Sequence, residues 1–130
     1  MSAPLIVTAL LGDADFAWLD GLRRQHFPPE RNHLRAHLTM FHHIAPALEA
    51  ELVQRVKALT KAGAPAARVA ALINLGRGVA YRIESQELEF VRAELADAFQ
   101  THLMPQDRAV WRPHVTVQNM AELVRDHALQ

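Results

Sequence analysis

Residues 79–117 read VAYRIESQELEFVRAELADAFQTHLMPQDRAVWRPHVTV, and their pattern sets the organisation of the whole chain. Short runs that alternate apolar and polar residues predict strands, whereas apolar residues that recur every three or four positions predict a helix. In chain order this segment predicts a strand over Val79 to Glu84, a helix that begins at Ser85 or Gln86, a break at Pro105, and a strand over Arg112 to Gln118. The last strand contains the tetrapeptide His114-Val115-Thr116-Val117.

The same order of elements occurs earlier in the chain. It predicts a strand over Pro4 to Leu11, a helix from Ala14 to about Phe27, a break at Pro28 and Pro29, and a strand over His37 to His42. This second strand begins with a matching tetrapeptide, His37-Leu38-Thr39-Met40. The repeat predicts two similar lobes that face each other across a cleft. Because no linker or low-complexity segment interrupts the 130 residues, we expect a single domain over residues 1–130.

Each tetrapeptide places one histidine and one threonine on the same face of a strand. Side chains alternate across a strand, so His37 shares a face with Thr39, and His114 shares a face with Thr116. A single His-x-Thr match carries little weight, because about 0.4 matches are expected by chance in a chain with this many histidines. Two matches at equivalent places in a repeat predict a paired site.

This set of side chains suits displacement at phosphorus without a metal. An in-line displacement needs a base on the attacking oxygen and an acid on the leaving oxygen, on opposite sides of phosphorus. Histidine can be tuned to either role near neutral pH, and threonine hydroxyls can donate to the non-bridging oxygens where charge builds up. A cyclic phosphate is a natural substrate, because water attacks on one side while the tethered ribose oxygen leaves on the other.

The paired motifs, together with LGRGVAYRIES (residues 75–85) and QDRAVWRPHVTVQN (residues 106–119), resemble those of the two-histidine (2H) phosphoesterase superfamily. The chain looks like its bacterial 2′-5′ RNA ligase-like branch of RNA 2′,3′-cyclic phosphodiesterases. The resemblance implies a bilobal α+β fold with two antiparallel sheets around a central cleft, helices outside, and an internal pseudo-two-fold repeat. It also implies activity on 2′,3′-cyclic phosphates or 2′-5′ linkages in RNA ends or nucleotides. The implied active site consists of His37, Thr39, His114 and Thr116.

We therefore predict an enzyme, a metal-independent phosphodiesterase in which His37 and His114 form the acid and base pair, while Thr39 and Thr116 bind the phosphate. His114 is assigned as the base towards water and His37 as the acid towards the leaving oxygen, although reversal of the reaction exchanges these roles. Two alternatives stay open. One is a nucleotide-binding or RNA-end-binding module without turnover, and the other is 2′-5′ RNA ligation by the same residues.

Three further residues are candidates for substrate binding. Arg35 and Arg112 each lie two positions before a motif histidine, where a guanidinium can bind phosphate or ribose. Tyr81 is the aromatic residue best suited to stack a base, since Phe41 and Trp111 are more typical of core positions.

Composition excludes several other functions. The 14 Lys and Arg balance 14 Asp and Glu, which argues against a protein that coats long nucleic acid. Cysteine is absent, which excludes disulfides, thiolate metal sites and cysteine nucleophiles. No glycine-rich phosphate loop indicates a nucleotide cofactor, so we expect no cofactor.

The remaining histidines suggest either a metal site or ordinary surface positions. The metal alternative uses histidines that are close in sequence: His33, His37, His42 and His43. No HExxH motif or group of carboxylates accompanies them, and a threonine two positions after a histidine has no place in a zinc site, so we expect no metal and place the last two at a solvated strand end. Three others lie near predicted helix C-termini, where the helix dipole favours imidazolium: His26, His102 and His127.

Two further features bear on partners and location. The related branch continues past the second motif to a further strand, whereas this chain ends soon after Thr116, so the expected fold lacks a C-terminal strand. An open sheet edge predicts self-association as a homodimer. The chain has no apolar run of roughly 18 residues and no secretory signal, so we expect a cytoplasmic protein whose partner is an RNA end or a small cyclic nucleotide and not a membrane.

Overall fold

The structure is a computed structural model that describes residues 3–26, 35–76 and 78–119. The strands in these residues are β1 (Leu5–Ala9), β2 (Leu38–Ile44), β3 (Arg68–Asn74), β4 (Gly78–Glu84) and β5 (His114–Asn119). The helices are α1 (Asp13–His26), α2 (Glu49–Leu59), α3 (Gln86–Ala98) and α4 (Pro105–Arg108), and none of these is long and apolar enough to cross a membrane. The break predicted at Pro28 and Pro29, and the predicted positions of His33 and His127, lie outside the described residues.

The strands form two small antiparallel sheets, which confirms the expected α+β class. β1 pairs with β2, and β3, β4 and β5 form the second sheet in that order. A tight turn joins β3 to β4: the Leu75 N–H donates to the Gly78 carbonyl over 2.8 Å. Gly76 in this turn has a φ of +86°, which favours glycine.

The described residues divide into two compact units, each assembled from separate segments of the chain. One, named here the α3 unit, holds residues 3–8, 39–68 and 84–112. The other, the α1 unit, holds residues 9–26, 35–38, 69–76, 78–83 and 113–119. The α3 unit therefore contains most of β1 and β2 with three of the helices, whereas the α1 unit contains α1, β5 and most of β3 and β4.

In each unit, the motif strand packs with a helix from the other half of the sequence. Helix α1 follows β1 in the chain but packs against β5 in the α1 unit. Helix α3 follows β4 but bonds to β2 in the α3 unit, where Arg92 donates to the Met40 carbonyl. The predicted repeat is present in the order of the elements along the chain. Neither unit, however, is one continuous half of the chain. The order of elements in the sequence does not determine which sheet a helix packs against.

Each unit buries its own apolar side chains. In the α3 unit, Phe41 of β2, Leu95 of α3 and Phe99 are at most 1% exposed. In the α1 unit, Leu19 of α1 and Val115 of β5 are fully buried. Full burial of such a side chain contributes roughly 1.5–3 kcal/mol, so packing of helices onto the strands holds both motif strands in place.

Candidate active site

His37 lies directly before β2, and the residue is half-buried. Its Nδ1–H donates a hydrogen bond of 2.7 Å to the carbonyl oxygen of Arg35. Since a carbonyl oxygen only accepts, Nδ1 carries a proton whether the ring is neutral or charged. The other ring nitrogen, Nε2, is therefore the one that can exchange a proton with a substrate.

Thr39 lies on β2 and is half-buried between two buried residues, Leu38 and Met40. The predicted alternation is thus present over Leu38, Thr39 and Met40, and it ends there because Phe41 is also buried. The indole Nε1–H of Trp111 donates to the carbonyl oxygen of Thr39 over 3.0 Å. Trp111 is half-buried, and its hydrogen bond fixes the backbone at the motif threonine.

A buried arginine holds the strand that carries Thr39. Arg92 of α3 donates from Nε to the Met40 carbonyl and from Nη2 to the Asp107 carbonyl, each over 2.8 Å. Its guanidinium carbon lies 4.0 Å from the centroid of the Phe41 ring, within the range of a cation–π contact. Burial lowers the pKa of Arg92, and the charge of Asp107 acts in the opposite direction. Phe41 is fully buried beside this guanidinium, as expected for a core aromatic residue.

The carboxylate of Asp107 binds the later part of the same strand. Asp107 is only 1% exposed. Its two oxygens accept the backbone N–H of His42 at 2.8 and 3.0 Å, and one of them accepts the N–H of His43 at 2.9 Å. The Nδ1–H of the His42 ring donates to the same carboxylate over 3.1 Å. The His42 ring is exposed to solvent, as expected at a strand end, and it also has a specific partner.

The second motif lies on β5 and repeats the alternation of the first. His114 and Thr116 are half-buried, whereas Val115 and Val117 are 0% and 4% exposed. Arg23 of α1 donates from Nη1 to the carbonyl of Thr116 over 2.7 Å. Burial lowers the pKa of Arg23, while the nearby Asp20 carboxylate acts in the opposite direction. In each unit, a buried arginine from a helix therefore bonds to the backbone of a motif strand.

The pairing of β4 with β5 determines which residues lie beside His114. Arg82 is opposite His114, and Tyr81 is opposite Val115. Directly opposite residues of an antiparallel pair share a face of the sheet, so Arg82 is on the face of His114 and Tyr81 is on the other face. The Tyr81 ring centroid lies 4.8 Å from that of Trp18 on α1. Tyr81 thus lies on the face of the sheet opposite to that of His114, near Trp18 of α1, and its role in stacking a base stays a prediction.

The two arginines expected to bind substrate are exposed. The guanidinium carbon of Arg35 lies 5.4 Å from the centroid of the Phe16 ring. Arg112 lies directly before Pro113, whose carbonyl accepts the N–H of Ile83 over 2.9 Å. Both arginines remain candidates, because exposure leaves their charged groups accessible to an anionic substrate.

Of the four motif residues, three belong to the α1 unit: His37, His114 and Thr116. The fourth, Thr39, belongs to the α3 unit, and the division between the units falls directly before it.

The described histidines have separate surroundings and do not form a metal site. Among the residues that the structure describes, no three histidine, aspartate or glutamate side chains group closely enough to hold a metal ion. His42 pairs with Asp107, and His37 bonds to the backbone of Arg35. His26 is the last residue of α1, which confirms its expected position at a helix C-terminus, and His102 is the last residue of a 3-10 turn.

Three residues that bond to the backbone of the motif strands belong to no recognisable sequence motif: Arg23, Arg92 and Asp107. The two arginines do leave a signal, since each lies four positions after a buried leucine of its helix and so falls within the apolar stripe. Asp107 leaves none, because an aspartate in a polar segment after a proline is typical of a solvated turn.

The α+β fold with two antiparallel sheets and paired His-x-Thr motifs is consistent with a 2H phosphoesterase-like protein. The sequence model of the 2′-5′ RNA ligase superfamily matches residues 11–128, and the chain belongs to this family, which supports its place among the 2H phosphoesterases. No curated protein and no solved structure is significantly similar to it. The superfamily is enzymatic, and membership supports an activity of the phosphoesterase or RNA ligase type.

Proposed function

We propose that the protein is a metal-independent phosphodiesterase that opens 2′,3′-cyclic phosphates, or cleaves 2′-5′ phosphodiesters, in RNA ends or nucleotides. One observation supports this most strongly: in both motifs the apolar positions are buried, while the histidine and the threonine stay half-buried. Each motif thus presents one imidazole and one hydroxyl away from the core. Two such motifs supply the acid, the base and the hydroxyl donors that displacement at a phosphodiester requires.

In the proposed reaction, His114 takes a proton from water as the water oxygen forms a bond to phosphorus. The bond between phosphorus and a ribose oxygen breaks, and His37 gives a proton to that oxygen. The hydroxyls of Thr39 and Thr116 donate to the non-bridging oxygens, where negative charge grows. The product is a phosphomonoester, and the two imidazoles end the step with exchanged protonation states.

The hydrogen bond at His37 supports its role in proton transfer and is compatible with its assignment as the acid. The bond from Nδ1–H to the Arg35 carbonyl is retained when Nε2 also carries a proton, and it strengthens as the ring becomes positively charged. The charged ring is the form that an acid must have before it transfers its proton. The same bond orients the ring, so that Nε2 is the nitrogen that faces the leaving oxygen in this proposal.

Removal of either imidazole tests the proposal. His37→Ala and His114→Ala should each lower kcat/KM on a 2′,3′-cyclic nucleotide by at least about 100-fold, since proton transfer by a positioned side chain contributes about 10²–10⁴-fold. The matched control is His102→Ala, which removes an exposed histidine outside both motifs and should keep full activity. Circular dichroism checks that the variants are folded. Full activity in either motif variant would contradict the mechanism.

The same assay separates the alternatives. Tight binding of a nucleoside monophosphate without turnover of any cyclic substrate would identify a binding module, and formation of a 2′-5′ bond between RNA ends would identify a ligase. Because the proposed chemistry uses only side chains, a chelator should leave the rate unchanged. A strong loss of rate with a chelator would indicate a metal-dependent reaction instead.

A further inference from the structure

Arg82 is a charged residue that the sheet places next to His114. The two residues are opposite each other on the same face of the β4–β5 pair, where opposite Cβ atoms lie about 4.5–5.5 Å apart. The next pair on this face is Ala80 opposite Thr116, and the register shifts only beyond it, between Val79 and Ala80. These two regular pairs therefore contribute a guanidinium, an imidazole and a hydroxyl to one face.

Arg82 and His114 differ in reach and in exposure. Arg82 is exposed, whereas His114 is half-buried. A guanidinium is carried on a longer aliphatic stem than an imidazole, so from neighbouring backbone positions Arg82 extends farther from the sheet. A phosphate bound by the shorter side chains of His114 and Thr116 would lie closer to the sheet than an extended Arg82 side chain reaches. An extended guanidinium would therefore contact the next anionic group of a longer substrate.

We propose that Arg82 binds a second phosphate of the substrate, the one that joins the terminal nucleotide to the rest of an RNA chain. This inference rests on the proposed function and narrows its substrate class to an oligonucleotide that ends in a 2′,3′-cyclic phosphate, in preference to a cyclic mononucleotide. Arginine suits this role because its planar guanidinium forms charge-assisted, bidentate hydrogen bonds with phosphate. With 14 basic and 14 acidic residues, the chain depends on such local cations to attract an anionic strand.

The test compares a 2′,3′-cyclic mononucleotide with a dinucleotide that has the same 3′-terminal cyclic nucleotide. Arg82→Gln should lower kcat/KM about ten-fold or more on the dinucleotide but less than about two-fold on the mononucleotide, because the lost hydrogen bonds are to the second phosphate. Arg82→Lys keeps the charge and should retain part of the preference for the dinucleotide. The control is Arg24→Gln, which removes an exposed arginine of the same unit and should change neither value.

The salt dependence gives a second readout that a merely structural role of Arg82 would not change. On the dinucleotide, the plot of log kcat/KM against log salt concentration should become shallower in Arg82→Gln, since one fewer phosphate is neutralised. If Arg82→Gln lowers kcat/KM equally on both substrates, so that the ratio of the two values is unchanged, the inference is wrong and the proposed function is unaffected. No turnover of either substrate by the wild-type protein would overturn both. If Arg82→Gln does not fold, the dinucleotide preference is measured in Arg82→Lys, and a fully retained preference in that variant overturns the inference.

Discussion

Two arginines outside the motifs bond to the backbone of the motif strands. Arg23 donates to the Thr116 carbonyl, and Arg92 donates to the Met40 carbonyl. Both arginines are buried, and burial lowers the pKa of each. A buried guanidinium needs hydrogen-bond acceptors to offset its lost hydration, and a strand carbonyl supplies one acceptor to each of the two arginines. Each motif strand is therefore bonded to a buried charged side chain.

Arg23→Met tests the contribution of the hydrogen bond to Thr116 at the second motif. The substitution should lower the free energy of unfolding by about 1–3 kcal/mol, because the Thr116 carbonyl loses its donor. Arg24→Met changes the neighbouring, exposed arginine and should alter the free energy of unfolding by less than about 0.5 kcal/mol. Urea unfolding followed by circular dichroism measures both variants. Equal stability of the two would show that the bond to Thr116 contributes nothing net.

At the scale of elements, β2 is held by side chains from three later parts of the chain. Arg92 comes from α3, Asp107 from α4, and Trp111 from the segment before β5. Among the described residues, β2 has β1 as its only strand partner, and such small sheets need packing against other elements for stability. These bonds from α3, α4 and Trp111 provide that support and fix the backbone at Thr39.

Asp107→Asn should weaken β2. A single amide oxygen replaces the two carboxylate oxygens that accept the N–H groups of His42 and His43, so we expect a loss of about 1–3 kcal/mol in the free energy of unfolding. Because Thr39 lies on the same strand, kcat/KM on a cyclic phosphate should fall as well. The control is Asp97→Asn on the exposed surface of α3. Thermal unfolding of Asp107→Asn that matches this control would contradict the role given to Asp107.

The local pattern predicts most elements but not all of their ends. Helix α3 begins at Gln86 as predicted, and Ser85 is its N-cap residue, whose hydroxyl accepts the N–H of Leu88 over 3.0 Å. The apolar stripe predicts a helix that reaches Leu103, yet α3 ends at Ala98 and a 3-10 turn over Gln100–His102 follows. Leu103 is nevertheless buried. Periodicity alone does not separate the two geometries, because a 3-10 turn also returns side chains to nearly the same face.

The motif residues are predictable from the sequence because alternation along a strand is a local property. The neighbours of His114 are not, because they depend on the register between β4 and β5. The sequence shows that Tyr81 and Arg82 face opposite ways, but only the pairing of Arg82 with His114 shows which of them shares the motif face. Alternation along β4 therefore does not identify the neighbour of His114, whereas the register does.

At the scale of the whole molecule, both units depend on contacts between distant parts of the sequence. The α1 unit joins α1 to β5, and the α3 unit joins β2 to α3. In each unit, the motif strand and the helix that supports it therefore belong to different segments of the chain. The local repeat shows that two motifs exist, whereas their proposed joint use in catalysis depends on the complete fold.

The proposed mechanism requires that His37 and His114 act on the same phosphate. This is tested by kcat/KM on a 2′,3′-cyclic mononucleotide for His37→Ala, His114→Ala and the double variant. The double variant should lie within about ten-fold of the more impaired single variant, because residues that act as one catalytic unit are strongly non-additive. If the double variant instead loses the full product of the two single losses, the histidines act independently, and that result would contradict a shared site.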